Sequence, residues 1–353
     1  MPPLPDPLPG ARKDVTSFVG GALRAAIGDL DGDGKREIVL VDAKQLRVVD
    51  PSGHEIAAIP VTRGIQALVV ADLDGDGRAE IVVGEGVTRE HKETKAAFTV
   101  YRLEHRGLVE ESVYAPDTPR QDVSAIVPMP DAGSVLLAYF DSKYNVASLI
   151  AKRTARGWAV STVASIRMAT SYARGDVDGD GIPDLVVGRT YGDASGTDGD
   201  AFVLAPGGRR IAIPSTRGLR SIAIADGDGD GRADVFMGDG WHQNYGEKAR
   251  GLLTWARQVG SEFKTELVED TAGQYAIEKI APATVGGRLG LVTLGSSYVR
   301  VFQRPDDHWI GSTIAGPARD IAVGDLDGLP GDEILIVADK SEIVSLGGFT
   351  PGR

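Results

Sequence analysis

The sequence predicts an all-β fold: a seven-bladed β-propeller with four-stranded blades. Three observations predict it. An acidic nonapeptide recurs along the chain, short segments rich in Val and Ile flank each copy, and hairpin-like segments fill the intervals. The chain of 353 residues is long enough for one large repetitive domain, and it contains no long segment of helical periodicity and no internal domain boundary.

The acidic nonapeptide occurs in four complete copies with acids at positions 1, 3, 5 and 9 and glycine at positions 4 and 6. The copies are DLDGDGKRE from Asp29, DLDGDGRAE from Asp72, DVDGDGIPD from Asp176 and DGDGDGRAD from Asp226. A fifth copy, DLDGLPGDE from Asp325, has Leu329 in place of the third acid. Successive first acids are 43, 104, 50 and 99 residues apart, so two intervals are double and predict two further units without the motif.

Each unit has the pattern of a four-stranded blade. IQALVVA precedes and IVVG follows the second acidic copy, and segments such as LLTWARQVGSEFKTELV supply a hairpin. Segments 122–140 and 276–295 keep a strand, a turn and a strand without the acids. We therefore expect blades that begin near residues 23, 66, 123, 171, 220, 275 and 319.

The two ends of the chain are predicted to meet in one blade. The last unit supplies only three strands before the sequence ends, and residues 12–19 have no other assignment. We expect residues 12–19 to form the outer strand of the last blade, which removes an open sheet edge. Residues 12–350 then form a single domain, preceded by a Pro-rich linker at residues 1–11.

The acidic loops have the ligand chemistry of calcium sites. Carboxylates at positions 1, 3, 5 and 9 and the carbonyl of position 7 supply hard oxygen ligands, and six or seven of these suit Ca²⁺ better than Mg²⁺. A single copy could equally be an acidic β-turn, because Asp-Gly pairs are common turn signals. Four complete copies favour calcium. The predicted ligands are Asp29, Asp31, Asp33, Lys35, Glu37, Asp72, Asp74, Asp76, Arg78, Glu80, Asp176, Asp178, Asp180, Ile182, Asp184, Asp226, Asp228, Asp230, Arg232 and Asp234, with a weaker fifth site at Asp325, Asp327 and Glu333.

The repeats resemble the FG-GAP/VCBS family, which is found in integrin α-chain head propellers, fungal propeller lectins and many bacterial surface proteins. The motif D-x-D-G-D-G-x-x-[DE] carries the resemblance, which covers nearly the whole chain although two units lack the motif and one is degraded. The resemblance implies that these loops bind Ca²⁺, support the structure and seldom contact the ligand.

A partner is expected on the face opposite the acidic loops, where two groups of residues are candidates. Exposed aromatic and amide side chains suit stacking on sugar rings or a protein hot spot. A partial ring of arginines near the central channel would attract an anionic ligand. The alternatives are packing of the aromatic rings on their own blades and pairing of the arginines with nearby acids. The candidates are Tyr144, Tyr191, Trp241, His242, Asn244 and Tyr245, together with Arg63, Arg167, Arg217, Arg220 and Arg319.

Composition narrows the class of partner and the location. A net charge of −12 argues against nucleic acid or an anionic membrane as the main partner, and no apolar run is long enough to span a bilayer. The absence of cysteine excludes disulfides and thiol catalysis. The Pro-rich start is interpreted as the segment that follows a removed leader or a lipid anchor upstream of residue 1. Extracellular calcium sites bind at about 10⁻⁴–10⁻³ M, which favours an extracellular, cell-surface or periplasmic protein.

We therefore expect an exported, calcium-stabilised propeller that binds a glycan or a partner protein as an adhesion or lectin-like module. The alternatives are a calcium-dependent polysaccharide lyase or hydrolase and a structural scaffold within a larger surface protein. Catalysis has little support, because the five His residues show no metal-ligand spacing and neither G-x-S-x-G nor a P-loop occurs.

Overall fold

The structure is a computed structural model. It describes residues 21–88, 97–105, 107–114, 122–129, 133–140, 145–155, 157–167, 169–190, 201–204, 209–215, 218–240 and 251–347. The predicted linker at 1–11 and the predicted closing strand at 12–19 lie outside these residues.

Within the described ranges the chain forms β-strands and turns, with no helix and hence no helix that could cross a membrane. The strands, in chain order, are β1 (Arg24–Gly28), β2 (Glu37–Val41), β3 (Gln45–Val49), β4 (Glu55–Pro60), β5 (Ile65–Ala71), β6 (Glu80–Glu85), β7 (Ala97–Glu104), β8 (Gly107–Tyr114), β9 (Asp122–Met129), β10 (Ser134–Phe140), β11 (Asn145–Thr154), β12 (Gly157–Arg167), β13 (Ala169–Gly175), β14 (Asp184–Arg189), β15 (Ala201–Leu204), β16 (Arg210–Ile213), β17 (Leu219–Ala225), β18 (Asp234–Asp239), β19 (Leu252–Val259), β20 (Glu262–Asp270), β21 (Ile277–Val285), β22 (Arg288–Gly295), β23 (Val299–Gln303), β24 (Ile310–Ala315), β25 (Asp320–Gly324), β26 (Glu333–Val337) and β27 (Glu342–Ser345).

These strands form seven antiparallel sheets in which each strand pairs with the next one along the chain. Blades 1 to 6 are β1–β4, β5–β8, β9–β12, β13–β16, β17–β20 and β21–β24, and blade 7 contains β25–β27. The predicted seven-bladed all-β propeller is therefore confirmed. A fourth strand from residues 12–19 would complete blade 7, but that segment is outside the described ranges and the closure stays a prediction.

The seven blades form a closed ring. The first strand of each blade contacts the first strands of both neighbouring blades, and β25 of blade 7 contacts β1 of blade 1. At this junction the Ala25 N–H donates to Asp320 Oδ2 at 3.0 Å. Apolar side chains of β2 and β26 share one core cluster there. Contact between the first and last blades therefore closes the ring within the described residues.

A separate apolar core fills the space between each pair of neighbouring blades. The second strand of a blade lies between two neighbouring sheets, and every residue of β2, β6, β18 and β26 is buried. This position explains why segments such as EIVLV and EILIV are continuously apolar after their first acid rather than alternating. Stability is consequently distributed around the ring in seven similar interfaces.

Candidate metal centres

The five acidic loops lie on one face of the ring. Each connects the first and second strands of its blade, at β1–β2, β5–β6, β13–β14, β17–β18 and β25–β26. In an antiparallel meander all first-to-second connections leave the sheet at the same edge. We call this face the acidic rim and the other face the opposite rim. Connections between second and third strands lie on the opposite rim.

The first acid of each loop holds the turn in shape. Asp29 accepts hydrogen bonds from the Gly32 N–H at 2.7 Å and the Gly34 N–H at 2.9 Å. The other three complete loops repeat these two bonds at the same distances. Both glycines have φ near +80° in every complete loop, a conformation that side chains other than glycine rarely adopt. The first carboxylate and the two glycines thus curl the backbone around a common centre.

The ninth acid of each loop is buried beneath the turn. These acids are at most 8% exposed and accept a hydrogen bond from the N–H of position 2 at 2.8 to 3.2 Å; they are Glu37, Glu80, Asp184, Asp234 and Glu333. Burial raises the pKa of all five, that of Glu37 to about 7 and that of Asp234 to about 6. Neighbouring aspartates raise the pKa of Glu37 further. A cation at this position would favour the charged form.

Carboxylate oxygens of three acids converge in every loop, to within 4.8 Å of one another. The groups are Asp29, Asp31 and Asp33; Asp72, Asp74 and Glu80; Asp176, Asp178 and Asp184; Asp226, Asp228 and Asp230; and Asp325, Asp327 and Glu333. The fifth group forms although Leu329, which is 62% exposed, contributes no ligand. A cluster of oxygen donors of this density fits a hard divalent cation such as Ca²⁺.

The backbone N–H of position 7 makes a hydrogen bond within each of the complete loops. The N–H groups of Lys35, Arg78, Ile182 and Arg232 donate to the carboxylate at position 5 at 2.8 to 2.9 Å. This bond orients the position-5 carboxylate in its loop. The identity of the side chain matters little for it, which accounts for the presence of Lys, Arg and Ile at this position.

Two of the loops also pair with arginines that the sequence analysis did not identify. Arg102 of β7 contacts Asp74, Asp76 and Glu80 of its own blade, and Arg153 of β11 reaches Asp74 from the next blade. Arg257 of β19 contacts Asp228 at 3.3 Å. Strand register could have identified two of these arginines from the sequence. Tyr101 pairs with Ile81, so Arg102 lies beside the ninth acid of its blade, and Ala256 pairs with Val235, so Arg257 does the same. A metal ion would compete with these guanidinium groups.

Backbone hydrogen bonds link the acidic rim from blade to blade. The N–H of position 8 donates to the preceding blade in three places: Ala79 to the Asp29 carbonyl at 2.7 Å, Ala233 to the Asp176 carbonyl at 3.2 Å and Asp332 to the Thr284 carbonyl at 2.9 Å. The loops therefore contribute to the interfaces between blades as well as to single turns. Position 8 of the fourth blade's loop is Pro183, which has no N–H to donate.

On the opposite rim, the described arginines among the predicted ligand residues pair with nearby acids. Arg63 bonds both carboxylate oxygens of buried Glu85, at 3.0 and 3.2 Å, and Arg220 of blade 5 pairs with Glu278 of blade 6 at 3.2 Å. Arg319 contacts Asp339. For these three arginines the contacts correspond to the alternative expectation of pairing with nearby acids, rather than to an open ring of cations. Outside what the structure describes lie Tyr144, Tyr191, Arg217, Trp241, His242, Asn244, Tyr245 and the side chain of Arg167.

Comparison with known families identifies one repeat. The sequence model of the FG-GAP-like repeat matches residues 29–83, which contain the first two acidic loops and the strands between them. A comparison with curated proteins found no match. The matched segment runs from the acidic loop of blade 1 to that of blade 2, so the matching unit corresponds to one structural repeat of the ring.

Proposed function

Because this chain is a β-propeller of the FG-GAP repeat family, a fold that suggests a binding or scaffold module, we propose that it is an exported, calcium-stabilised binding module. Calcium occupies the acidic rim, and a glycan or a partner protein binds on the opposite rim. The observation that carries this proposal is the convergence of three carboxylates in five blades of a single ring, through positions 1, 3 and 5 in two loops and positions 1, 3 and 9 in the other three.

Calcium has a structural role in this proposal. The four complete loops each bind one ion through their carboxylates and the position-7 carbonyl, and the loop from Asp325 binds a fifth ion more weakly because it has one carboxylate fewer. When bound, the ion supplies the positive charge that stabilises a buried ninth acid such as Glu37 in its charged form. The need for high free calcium supports an extracellular, cell-surface or periplasmic location.

The length of the connections supports a partner site on the opposite rim. The second and third strands are separated by residues 86–96 in blade 2, 190–200 in blade 4 and 240–251 in blade 5. Connections of this length on a rigid scaffold are where binding residues concentrate. The sequence of the third connection contains Trp241 and Tyr245, and aromatic rings are the side chains that suit stacking on sugars and protein hot spots.

The proposal is tested by measuring what the protein binds in calcium-containing buffer. We expect retention on a glycan array or an acidic-polysaccharide column, or capture of one stoichiometric protein partner. Replacement of Trp241 and Tyr245 together by Ala should abolish the binding. The control is His54→Ala, which removes an exposed ring from the acidic rim and should leave binding unchanged.

The outcomes separate the classes of function. Binding to a glycan that the double variant loses supports the lectin-like form, and capture of one protein that the double variant loses supports the adhesion form. If neither glycan nor protein binds, the binding proposal is wrong. Equal loss of binding in His54→Ala would place the contact on the acidic rim and would contradict the proposed position of the site.

A further inference from the structure

The interface between blades 3 and 4 lacks the backbone hydrogen bond that the acidic loops make in three other interfaces of the ring. Blade 3 has no acidic loop between β9 and β10. At position 8 of the loops in blades 2 and 5, Ala79 and Ala233 donate their N–H groups to the preceding blade, whereas the loop of blade 4 has Pro183 at this position. Proline cannot make that bond. The two departures therefore coincide at one junction, and the backbone hydrogen bond from position 8 to the preceding blade cannot form there.

A cavity of about 680 Å³ lies at this junction. Its inner wall is the end of the apolar core between the two blades, with Leu136 and Ile150 from blade 3 and Leu185 and Leu204 from blade 4. The cavity volume falls within the range of about 300–1,000 Å³ that is typical of sites for small ligands. Apolar side chains also reach its solvent-exposed part, where Val163 is 42% exposed and Ile182 is 60% exposed.

Charged groups complete the cavity. Arg174 of β13 and Arg209, which precedes β16, lie on its wall, as do Asp178, Asp180 and Asp184 of the adjacent loop. The three acids already accept backbone N–H groups within their own turn. Arg209 is exposed and forms no ion pair within the described part of the chain. The Arg209 guanidinium is thus a charged donor available to a ligand in this cavity, and Arg174 adds a second positive charge to the wall.

Other cavities on the same rim are different in kind. A cavity of about 660 Å³ between blades 1 and 2 is lined mainly by charged residues and histidines, among them His54, Glu55 and Glu104. A smaller one of about 290 Å³ between blades 4 and 5 is lined by Asp228, Asp230, Arg232 and Asp234 of the loop from Asp226, together with neighbours that include Arg257. The cavity between blades 3 and 4 combines a wide apolar wall with two arginines, and calcium bound in the loop from Asp176 would offset the charge of Asp178, Asp180 and Asp184. This combination indicates a ligand with an apolar body and one negative charge.

We propose that this cavity binds a small amphipathic carboxylate. Its apolar body lies against Leu136, Ile150 and Leu204, and its carboxylate accepts hydrogen bonds from Arg209, with Arg174 on the same wall. The site is separate from the partner surface on the opposite rim, but it rests on the proposed function because calcium must offset the three aspartates on its wall. A melting temperature that depends on calcium, without binding of the probes, would refute this site alone.

The test uses two anionic amphipathic probes, anilinonaphthalene sulfonate and decanoate, with the full chain in calcium-containing buffer. We expect saturable binding of the fluorescent probe to one site and its displacement by decanoate. Decanol, which has the same apolar body without the charge, should displace it about tenfold less effectively, which corresponds to one charge-assisted hydrogen bond. Equal displacement by decanol and decanoate would contradict the role of the arginines.

Two variants with matched controls locate the site. Val163→Asp places a negative charge on the cavity wall, and its control Val109→Asp makes the same change at a residue that is 46% exposed on the outer strand of blade 2. Arg209→Gln removes one guanidinium group, and its control Arg210→Gln changes the next residue, whose side chain lies over the Phe202 ring. We expect about tenfold weaker binding for Val163→Asp and Arg209→Gln and unchanged binding for both controls.

The proposal is wrong if neither probe binds saturably to the unaltered protein, or if each variant binds as its control does. Circular dichroism and the melting temperature of all four variants are measured alongside binding. Both members of each pair are exposed residues, so weaker binding with an unchanged melting temperature assigns the effect to the cavity.

Discussion

At the scale of single residues, the ninth acid of each loop is set apart from the other acids by its burial beneath the turn. Glu37 is 5% exposed and has three aspartates of its own loop nearby. Burial, together with these charges, raises its pKa to about 7 despite the hydrogen bond from the Leu30 N–H. Folding therefore favours the protonated form of this acid, and its charged form reduces stability unless a cation is bound.

We predict that Glu37→Gln stabilises the metal-free protein at about pH 7.5 by roughly 2 kcal/mol, because glutamine carries no charge and can still accept the Leu30 N–H. The raised pKa means that the cost of the charged form grows as pH increases from 4.5 to about 7. The difference between variant and parent should therefore vanish below about pH 4.5. Urea unfolding in chelator at the two pH values measures it.

The same substitution should reduce the stabilisation that calcium confers, because one carboxylate ligand is lost. Glu262→Gln, which changes an exposed acid at the start of β20, is the control and should alter neither measurement. A Glu37→Gln protein that is less stable than the parent in chelator at about pH 7.5 would contradict this account of the buried acid.

At the scale of elements, the loops are similar in backbone but differ in what surrounds them. The loop from Asp72 is in contact with Arg102 and Arg153, whereas the described ion pairs of the loop from Asp29 include only Lys35, at 3.9 Å from Asp33. Guanidinium groups and calcium need the same oxygens. The loops should therefore differ in calcium affinity despite nearly identical sequences.

We predict that the loop from Asp29 binds calcium more tightly than the loop from Asp72. In a calorimetric titration with calcium, the Asp31→Asn variant should lack a tight calcium site, whereas the Asp74→Asn variant should lack a weak one. Arg153→Met removes a competing cation and should tighten the weak site by about tenfold. Arg288→Met, which changes another arginine of the acidic rim, is the control and should leave the titration unchanged. Identical isotherms for the two Asn variants would refute the difference between loops.

Position 2 shows how the same loop adapts to different cores. Leu30, Leu73 and Val177 fill this position in three complete loops and are buried, whereas the fourth has Gly227. A Cβ at Gly227 would lie 2.8 Å from Phe236 Cζ and 3.0 Å from Trp255 Nε1. The large rings of blade 5 already occupy the space that leucine takes elsewhere.

We accordingly predict that Gly227→Ala lowers the free energy of unfolding by about 1–3 kcal/mol through overpacking. Gly316→Ala is the matched control, because a Cβ there meets nothing within 4 Å, and it should change stability by less than about 0.5 kcal/mol. Denaturant unfolding measures both, and equal stabilities of the two variants would show that the aromatic cluster accommodates the methyl group.

At the scale of the whole molecule, the acidic loops dominate the charge. The net charge is −12, and the ligand-position acids of the five loops number 19, so the remainder of the chain carries +7. All of these acids lie on one face of the ring, and the loops also link neighbouring blades through backbone hydrogen bonds. The proposed metal binding at the rim would therefore be coupled to the stability of the interfaces between blades.

We predict that chelation lowers the melting temperature by at least about 10 °C relative to protein in about 10 mM Ca²⁺, because several sites each contribute binding free energy to the folded state alone. Restored calcium should reverse the change, and Mg²⁺ at the same concentration should restore only a small part of it. Differential scanning calorimetry provides the measurement. Melting curves that coincide with and without chelator would remove calcium from the proposed function.

The sequence by itself determined the number of blades, the place of the acidic loops and the four-strand pattern. Each of these depends on pairing between strands that are neighbours in the chain, so the periodicity of apolar and acidic residues reports it directly. The continuous apolar runs after the ninth acid also follow from the local repeat. That is why four complete nonapeptides and one degraded copy predicted five acidic turns at the same place in their blades.

Only the tertiary structure decided which residues meet between blades. Arg153 is distant in sequence from Asp74 and reaches it because blade 3 follows blade 2 around the ring. Likewise, the pairing of Arg220 with Glu278 and the cavity beside Pro183 depend on how two separate sheets face each other. Contacts between blades produce no periodic pattern in the sequence, because the pattern of each residue segment reflects its place within its own blade. The physical reason is that the strands of one blade are neighbours in the chain, whereas the surface between two blades depends on the side chains of both blades.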